Sequence, residues 1–252
     1  DYLLTGTPRM QERPVQALLD SLGQLGVAAR SAKDNGCPPI AVTGRVIEGG
    51  HVTIDCSLSS QFLSSLLLMA PLSRSGLVVD VSRGPVSKPY VDLTVDILQR
   101  FGVTVSRIGY QRFEVPGSQR YRAGTYEVEP DVSNASYFWA AGAVTGRSIK
   151  VHGISRGSLQ GDMQLLPLLE RMGCRITTDA DGIAVTGGPL KGIEADMGDL
   201  PDMVPTLAVV AACAEGTTCI RGVGHLKAKE CDRLAAVINE LGAMGIAARS
   251  TG

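Results

Sequence analysis

Three serines and a glutamine, Ser57, Ser59, Ser60 and Gln61, crowd the stretch SLSSQF, where the alternating run VTIDC gives way to the apolar run FLSSLLLMAPL. The alternation reads as a strand and the apolar run as a buried helix, so these side chains fall at a helix start. A helix start offers free backbone N–H groups and the positive end of the dipole, the usual setting for a phosphate. The hydroxyls and the amide would add neutral donors. The competing reading is an N-cap with small residues for close packing, but a cap needs one serine only.

Cations gather elsewhere. HLKAKECDRL, residues 225–234, carries Lys227, Lys229, Glu230, Asp232 and Arg233 before the apolar run AAVINELGAMGI. If Arg233 is helical, Lys229 lies one turn earlier on the same face, where like charges cost a few tenths of a kcal/mol. Lysines near a helix start also oppose its dipole. Either this is a solvated helix entrance or the cations face an anion. In RMQERPVQALL, Arg13 precedes Pro14. Proline favours the first helical position, which makes Arg13 the expected N-cap residue, either solvated or holding an anion. GPVSKPYVDLT sets Ser87, Lys88 and Tyr90 in a proline-bounded turn before the helical run VDLTVDILQRF, and DLPDMVP offers Asp199 and Asp202 at another helix entrance. A plain turn and an ordinary carboxylate cap are the competing readings of these two. Taken together the residues ask for a small, multiply anionic substrate with acid–base groups nearby, in a site between two domains.

The elements that must position them come from a chain of 252 residues, 44% hydrophobic and 19% charged, with a formal charge of −1. That is length for one large or two modest domains. Near-neutrality argues against a nucleic-acid or membrane-surface protein, so anion binding falls to a few placed residues. Six cysteines at 37, 56, 174, 213, 219 and 231 form no CxxC pair, and three histidines show no metal-ligand spacing. Free, reduced thiols in a cytoplasmic protein are expected, with no zinc site. No apolar run approaches the ~20 residues of a membrane span. The chain opens at Asp1 and stops in ARSTG, and both ends read as cut.

An internal repeat organises the chain. LLDSLGQLGV, TVDILQRFGV, LLPLLERMGC and AVINELGAMGI each read as an apolar-periodic helix closed by glycine, at Gly26, Gly102, Gly173 and Gly245, spaced by 76, 71 and 72 residues. Glycine there suits a left-handed C-cap position. A second series, VTIDCSLSSQFLSSLLLMAPL, YEVEPDVSNASYFWAAGAVTG and IEADMGDLPDMVPTLAVVAACAEG, reads as strand, polar turn and buried helix. Further strands are expected at GLVVDVSR, QRFEVPG, SIKVHGI and GIAVTGG. Each unit then runs helix, two strands, strand, buried helix, strand. The period of about 72 residues exceeds that of a solenoid, and a boundary near 128–131 divides the chain evenly.

LTGTPRMQERP, SLSSQFLSSLLLMAPL, VSKPYVDLT, PDVSNASYF, QGDM, DLPDMVPTLAVVA and HLKAKECDRL together resemble, in order and over essentially the whole chain, the motifs of the 5-enolpyruvylshikimate-3-phosphate synthase family. The related UDP-N-acetylglucosamine enolpyruvyl transferases lack the combination of SSQ, VSKPY and KECDR. The resemblance implies an α/β, enolpyruvyl-transferase-like fold, with two similar domains built from repeated βαβαββ units and substrates between them. Residues 1–129 would form most of the shikimate-phosphate-binding domain and 130–252 part of the second, in a fragment lacking both ends and with them several phosphoenolpyruvate-binding cations. It further implies transfer of the enolpyruvyl group of phosphoenolpyruvate to the 5-hydroxyl of shikimate 3-phosphate, in aromatic amino-acid biosynthesis.

By the same resemblance Ser59, Ser60, Gln61, Ser87, Tyr90, Asp202, His225 and Lys229 would bind shikimate 3-phosphate. Arg13, Gln61 and Arg233 would bind phosphoenolpyruvate, and Asp202 and Glu230 would move protons. Domain closure on substrate is expected of the family. No step calls for a metal or an organic cofactor. The expected partners are the two small substrates, with no nucleic acid and no membrane, in a cytoplasmic monomer. Transfer to a nucleotide sugar, or a non-catalytic phosphate-binding fragment, are the alternatives.

Overall fold

In the computed structural model, which describes residues 1–251, helices and strands alternate in two units. One comprises Asp1–Thr125 with Ala228–Cys231, the other Tyr126–Lys227 with the residues from Asp232 onward.

The first unit opens with β1 (Tyr2–Leu4), a 3-10 turn at Met10–Glu12, α1 (Gln16–Gln24), β2 (Ala29–Ser31) and β3 (Ile40–Val42). These three strands make an antiparallel sheet with β3 in the middle. Then come β4 (Gly50–Asp55), α2 (Gln61–Met69), β5 (Gly76–Arg83), α3 (Lys88–Arg100), β6 (Ser106–Ile108) and β7 (Arg112–Pro116). They form a four-stranded sheet of order β4-β5-β7-β6, in which β4 and β5 pair in parallel across the α2 crossover. Alternation along β4 sends Val52 and Ile54 inward, where they meet Leu63, Leu66 and Leu67 of α2 and Val91 and Leu98 of α3. A Ser64–Thr94 hydroxyl pair at 2.8 Å ties α2 to α3. That fixes the two helix starts on which Gln61 and Tyr90 stand.

The second unit runs α4 (Val132–Thr145), β8 (Ser148–His152), α5 (Leu165–Arg171), β9 (Arg175–Asp179), β10 (Gly182–Thr186), β11 (Glu194–Asp196), α6 (Val204–Ala212), β12 (Cys219–Arg221) and α7 (Arg233–Ala243). β10 is the middle of a three-stranded antiparallel sheet, and β11 pairs with β12 in parallel. Trp139 of α4 lies fully buried with Leu165, Leu169, Met172 and Leu207, and its indole N–H donates to the Ile183 carbonyl at 3.1 Å.

The repeat is visible in this order. Each of α1, α3, α5 and α7 is followed two residues later by its glycine, and all four glycines hold positive φ (73°, 82°, 113° and 77°). L side chains avoid that region, so the chain reverses there. Three expectations fail. YEVEP forms no strand before α4, because its residues are mostly exposed and pair with no neighbouring strand, and no strand follows α7 among the described residues. The second-series helices are also not apolar-buried all round: Leu68, Tyr137, Phe138 and Val209 are exposed. Among the described residues no helix is long and apolar enough to cross a membrane.

Candidate functional site

The serine-rich turn is shaped by the residue that ends β4. Asp55 accepts from the Ser57 backbone N–H at 2.9 Å, and the Ser57 donors hold its carboxyl below the usual carboxylate range. Ser59 Oγ then accepts from the Gln61 N–H at 3.2 Å, and α2 starts at Gln61. Ser60 stands at the N-cap with helical φ and ψ and makes no side-chain capping bond; its side chain is buried. A cap's side-chain oxygen accepts from the backbone N–H two or three residues on, from an extended backbone; Ser59 makes a bond of that pattern and Ser60 does not, so capping accounts for Ser59 and not for Ser60. Cys56 in the same turn is no nucleophile, since burial pushes its thiol up to about 12.

Ser87 is brought beside this turn by the loop after β5. The Cys56 N–H donates to the Arg83 carbonyl at 2.8 Å and the Val86 N–H to the Cys56 carbonyl at 3.2 Å. Gly84 permits the approach: at φ 87° a Cβ there would sit 2.7 Å from the Cys56 carbonyl. Ser87 itself is left-handed (φ 54°, ψ 48°) and buried, and its Oγ has no hydrogen-bond partner. An unsatisfied buried hydroxyl costs free energy, and an anion accepting from it would remove that cost. The sequence expectation for this stretch needs correction. Lys88 and Tyr90 are not in a turn ahead of the helix but in the first turn of α3, where Pro89 is tolerated because its missing N–H would have no helical partner.

Arg13 also departs from expectation. It is not the N-cap of α1, which starts at Gln16 with Val15 at its N-cap. Pro14 drives the preceding residue out of the helical region, and Arg13 is extended at ψ 123°, closing the 3-10 turn at Met10–Glu12. Its Nη1 lies 3.1 Å from Glu230 Oε1. Arg13, Ser59, Gln61 and Lys229, with Leu58 and Phe62, line a cavity of about 120 Å³. Two cations, one of them paired with the Glu230 carboxylate, and two neutral donors thus stand around an apolar floor. A second, apolar groove of about 310 Å³ holds Ser60, Gln61 and Tyr90 on its walls.

In the second unit Arg233 Nη1 donates to Asp202 Oδ1, with both side chains partly exposed. Asp202 lies in a 3-10 turn (Pro201–Met203) that leads into α6. Arg233 is the first residue of α7, capped by Asp232, whose carboxylate accepts from the Ala235 N–H at 3.0 Å. Lys229 therefore does not share a helix face with Arg233. His225 is buried in the 3-10 turn Gly224–Ala228. The first unit thus holds Arg13, Ser59, Ser60, Gln61, Ser87, Tyr90, Lys229 and Glu230, and the second holds Asp202, His225 and Arg233.

Two residues of these motifs, Arg9 and Asp162, make contacts that their sequence context does not announce. Arg9 donates to the main chain at Lys229 and Glu230. Asp162, of QGDM, is buried, accepts from Ser133 Oγ, and has its other oxygen without a hydrogen-bond partner. Burial raises its pKa above the usual carboxylate range, and the charges of Asp202 and Asp131 push the same way. An arginine beside an acid and an aspartate before an apolar run are common in any sequence, so neither carried a signal. All six cysteines are free thiols, and among the described residues no three His, Cys, Asp or Glu side chains are placed to hold a metal ion.

Solved structures with this fold include EPSP synthase from Acinetobacter baumannii (TM-score 0.76, 24% identity, 99% of this chain and 57% of that one). The enolpyruvyl transferase NikO from Streptomyces tendae gives a TM-score of 0.66 at 23% identity, over 82% of this chain and 51% of that one. Among curated proteins, the 3-phosphoshikimate 1-carboxyvinyltransferase of Pseudoalteromonas atlantica is 45% identical over 97% of this chain, and that of Klebsiella pneumoniae 46%. The chain spans 57% of the length of each. The family model of EPSP synthase (3-phosphoshikimate 1-carboxyvinyltransferase) matches residues 1–252, and the chain belongs to that family.

Proposed function

We propose that the full-length protein transfers the enolpyruvyl group of phosphoenolpyruvate to the 5-hydroxyl of shikimate 3-phosphate, releasing phosphate, as a step of the shikimate pathway to chorismate and the aromatic amino acids. The observation that carries this reading is the cavity of the first unit, where Arg13, Lys229, Ser59 and Gln61 surround a volume of about 120 Å³. Relatives about 45% identical bear the name of this activity.

The residue types suit the chemistry. The 5-hydroxyl gives up its proton to a base and attacks C2 of phosphoenolpyruvate while C3 takes a proton; the tetrahedral intermediate then loses a proton from the C3 methyl group and phosphate from C2, giving the enol ether. Asp202 and Glu230 are the carboxyl groups assigned to these proton transfers. Arg13 and Arg233, with Gln61, are assigned to phosphoenolpyruvate, because a guanidinium fork matches carboxylate and phosphate oxygens. Ser59, Ser60, Gln61 and Ser87 would donate to shikimate 3-phosphate, the serines mainly at its phosphate, with Tyr90 beside them. Asp202, His225 and Lys229 complete that set, Asp202 and Lys229 at the ring hydroxyls. Residues 1–129 would make up most of the shikimate-phosphate-binding domain and 130–252 part of the other, in a cytoplasmic monomer.

Phosphate release tests this. The full-length protein is expected to release phosphate from phosphoenolpyruvate only when shikimate 3-phosphate is present. Release that instead depends on a UDP-sugar would move the chain to the other acceptor. Binding of shikimate 3-phosphate with no turnover over a range of pH and salt would leave a phosphate-binding protein.

A further inference from the structure

We propose that Arg9 is a positioning residue that sets the main chain of Lys229 and Glu230 against the anion cavity; the catalytic part of this claim rests on the function proposed above. Arg9 Nη2 donates to the Lys229 carbonyl at 2.8 Å and Nε donates to the Glu230 carbonyl at 3.1 Å. Nη1 donates to the Glu12 carboxylate at 2.9 Å. One planar cation thus spans two consecutive carbonyls and is itself aimed by an acid three residues along its own turn. Charge-assisted bonds of this kind are the strong class, and lysine, a point donor on a flexible stem, cannot reproduce the fork.

The segment needs such a clamp. The 3-10 turn ends at Ala228 and α7 begins at Arg233, so no helix or strand fixes residues 229–231. They are nonetheless part of the first unit. The turn Met10–Glu12 carries Arg9 at its start and Arg13 at its end. Arg9 holds the Glu230 main chain while Arg13 meets its carboxylate at 3.1 Å. Lys229, whose own carbonyl is one of the two clamped, lines the cavity, which Arg9 does not. Displacing a reacting group by about 1 Å costs on the order of a hundredfold in rate. Arg9 therefore acts through Lys229 and Glu230, without touching substrate.

The test uses the full-length protein carrying Arg9→Ala or Arg9→Lys. Both variants are expected to lose about ten- to a hundredfold in kcat, and the KM for shikimate 3-phosphate is expected to rise about tenfold through Lys229. Added guanidinium ion should restore part of the kcat of Arg9→Ala and none of that of an Asp202→Asn control. Amide hydrogen exchange in the peptide spanning 228–231 should quicken by about tenfold while the rest of the first unit keeps its protection. If Arg9→Ala fails to fold, Arg9→Lys carries the same readouts. Kinetic constants within about twofold of the parent, or unchanged exchange at 228–231, would overturn the proposal. Should the parent protein show no phosphate release, the function fails separately, and the exchange measurement alone decides whether Arg9 holds the segment.

Discussion

Arg13 and Glu230, 217 positions apart in sequence, meet through a guanidinium–carboxylate pair at 3.1 Å. The arginine side chain is 19% exposed and the glutamate 58%. A pair this open to water contributes ~0–1 kcal/mol to stability, so its presence is poorly explained as a stabilising device. Under the proposed function it would be the resting arrangement of the phosphoenolpyruvate-binding cation and the proton-transferring acid.

Glu230→Gln separates the two roles. In the full-length protein it is expected to change unfolding free energy by less than about 1 kcal/mol while lowering kcat about 10²- to 10⁴-fold. Denaturant unfolding and steady-state phosphate release check both halves; comparable losses in stability and rate would make the pair structural.

Ser87→Ala should be close to neutral for the free protein, because Ser87 Oγ has no hydrogen-bond partner to lose. Removing an unsatisfied buried hydroxyl is worth between zero and about 1 kcal/mol of added stability. Affinity for shikimate 3-phosphate is expected to fall about tenfold, the scale of one hydrogen bond to a charged group. Calorimetric titration measures it, and unchanged affinity would remove Ser87 from the site.

Arg233→Ala is expected to raise the KM for phosphoenolpyruvate at least about tenfold, since charged donors in a fork are lost. The KM for shikimate 3-phosphate should move less than about threefold. Because Arg233 also holds Asp202, equal losses for both substrates would mean that its work is to place Asp202.

Asp162 makes stability depend on pH. Its pKa is raised in the folded protein, first by burial and then by Asp202 and Asp131, against the lowering effect of Ser133. A folded carboxyl with a raised pKa binds its proton more tightly than the unfolded chain does. Its contribution is therefore fully present below the unfolded value of about 3.9 and is lost as pH rises through the folded value. Asp162→Asn should flatten that decline. Urea midpoints from pH 4 to 8 for both proteins test it, and parallel pH profiles would show that Asp162 keeps no extra proton.

Much of the fold was legible because its signals are local. The glycines after α1, α3, α5 and α7 mark chain reversals that L side chains avoid, and period-2 alternation located β5, β7, β8 and β10. Local rules failed where neighbours compete. Pro14 suggested a helix start at Arg13, yet proline also expels the preceding residue from the helix, and the second effect prevailed. Lys229 and Arg233 have the spacing of one helix face, but the Asp232 cap starts α7 between them.

The sequence by itself determined the repeat, the helix start that carries Gln61, and the family, since each is written in residue types at short range. Tertiary structure alone decided that Ser87 is buried without a partner, that Arg13 meets Glu230, and that Arg9 grips the carbonyls of residues 229 and 230. The last has no sequence signature for a physical reason: every residue carries a backbone carbonyl, so which two an arginine reaches across 220 positions depends on where the fold brings the chain.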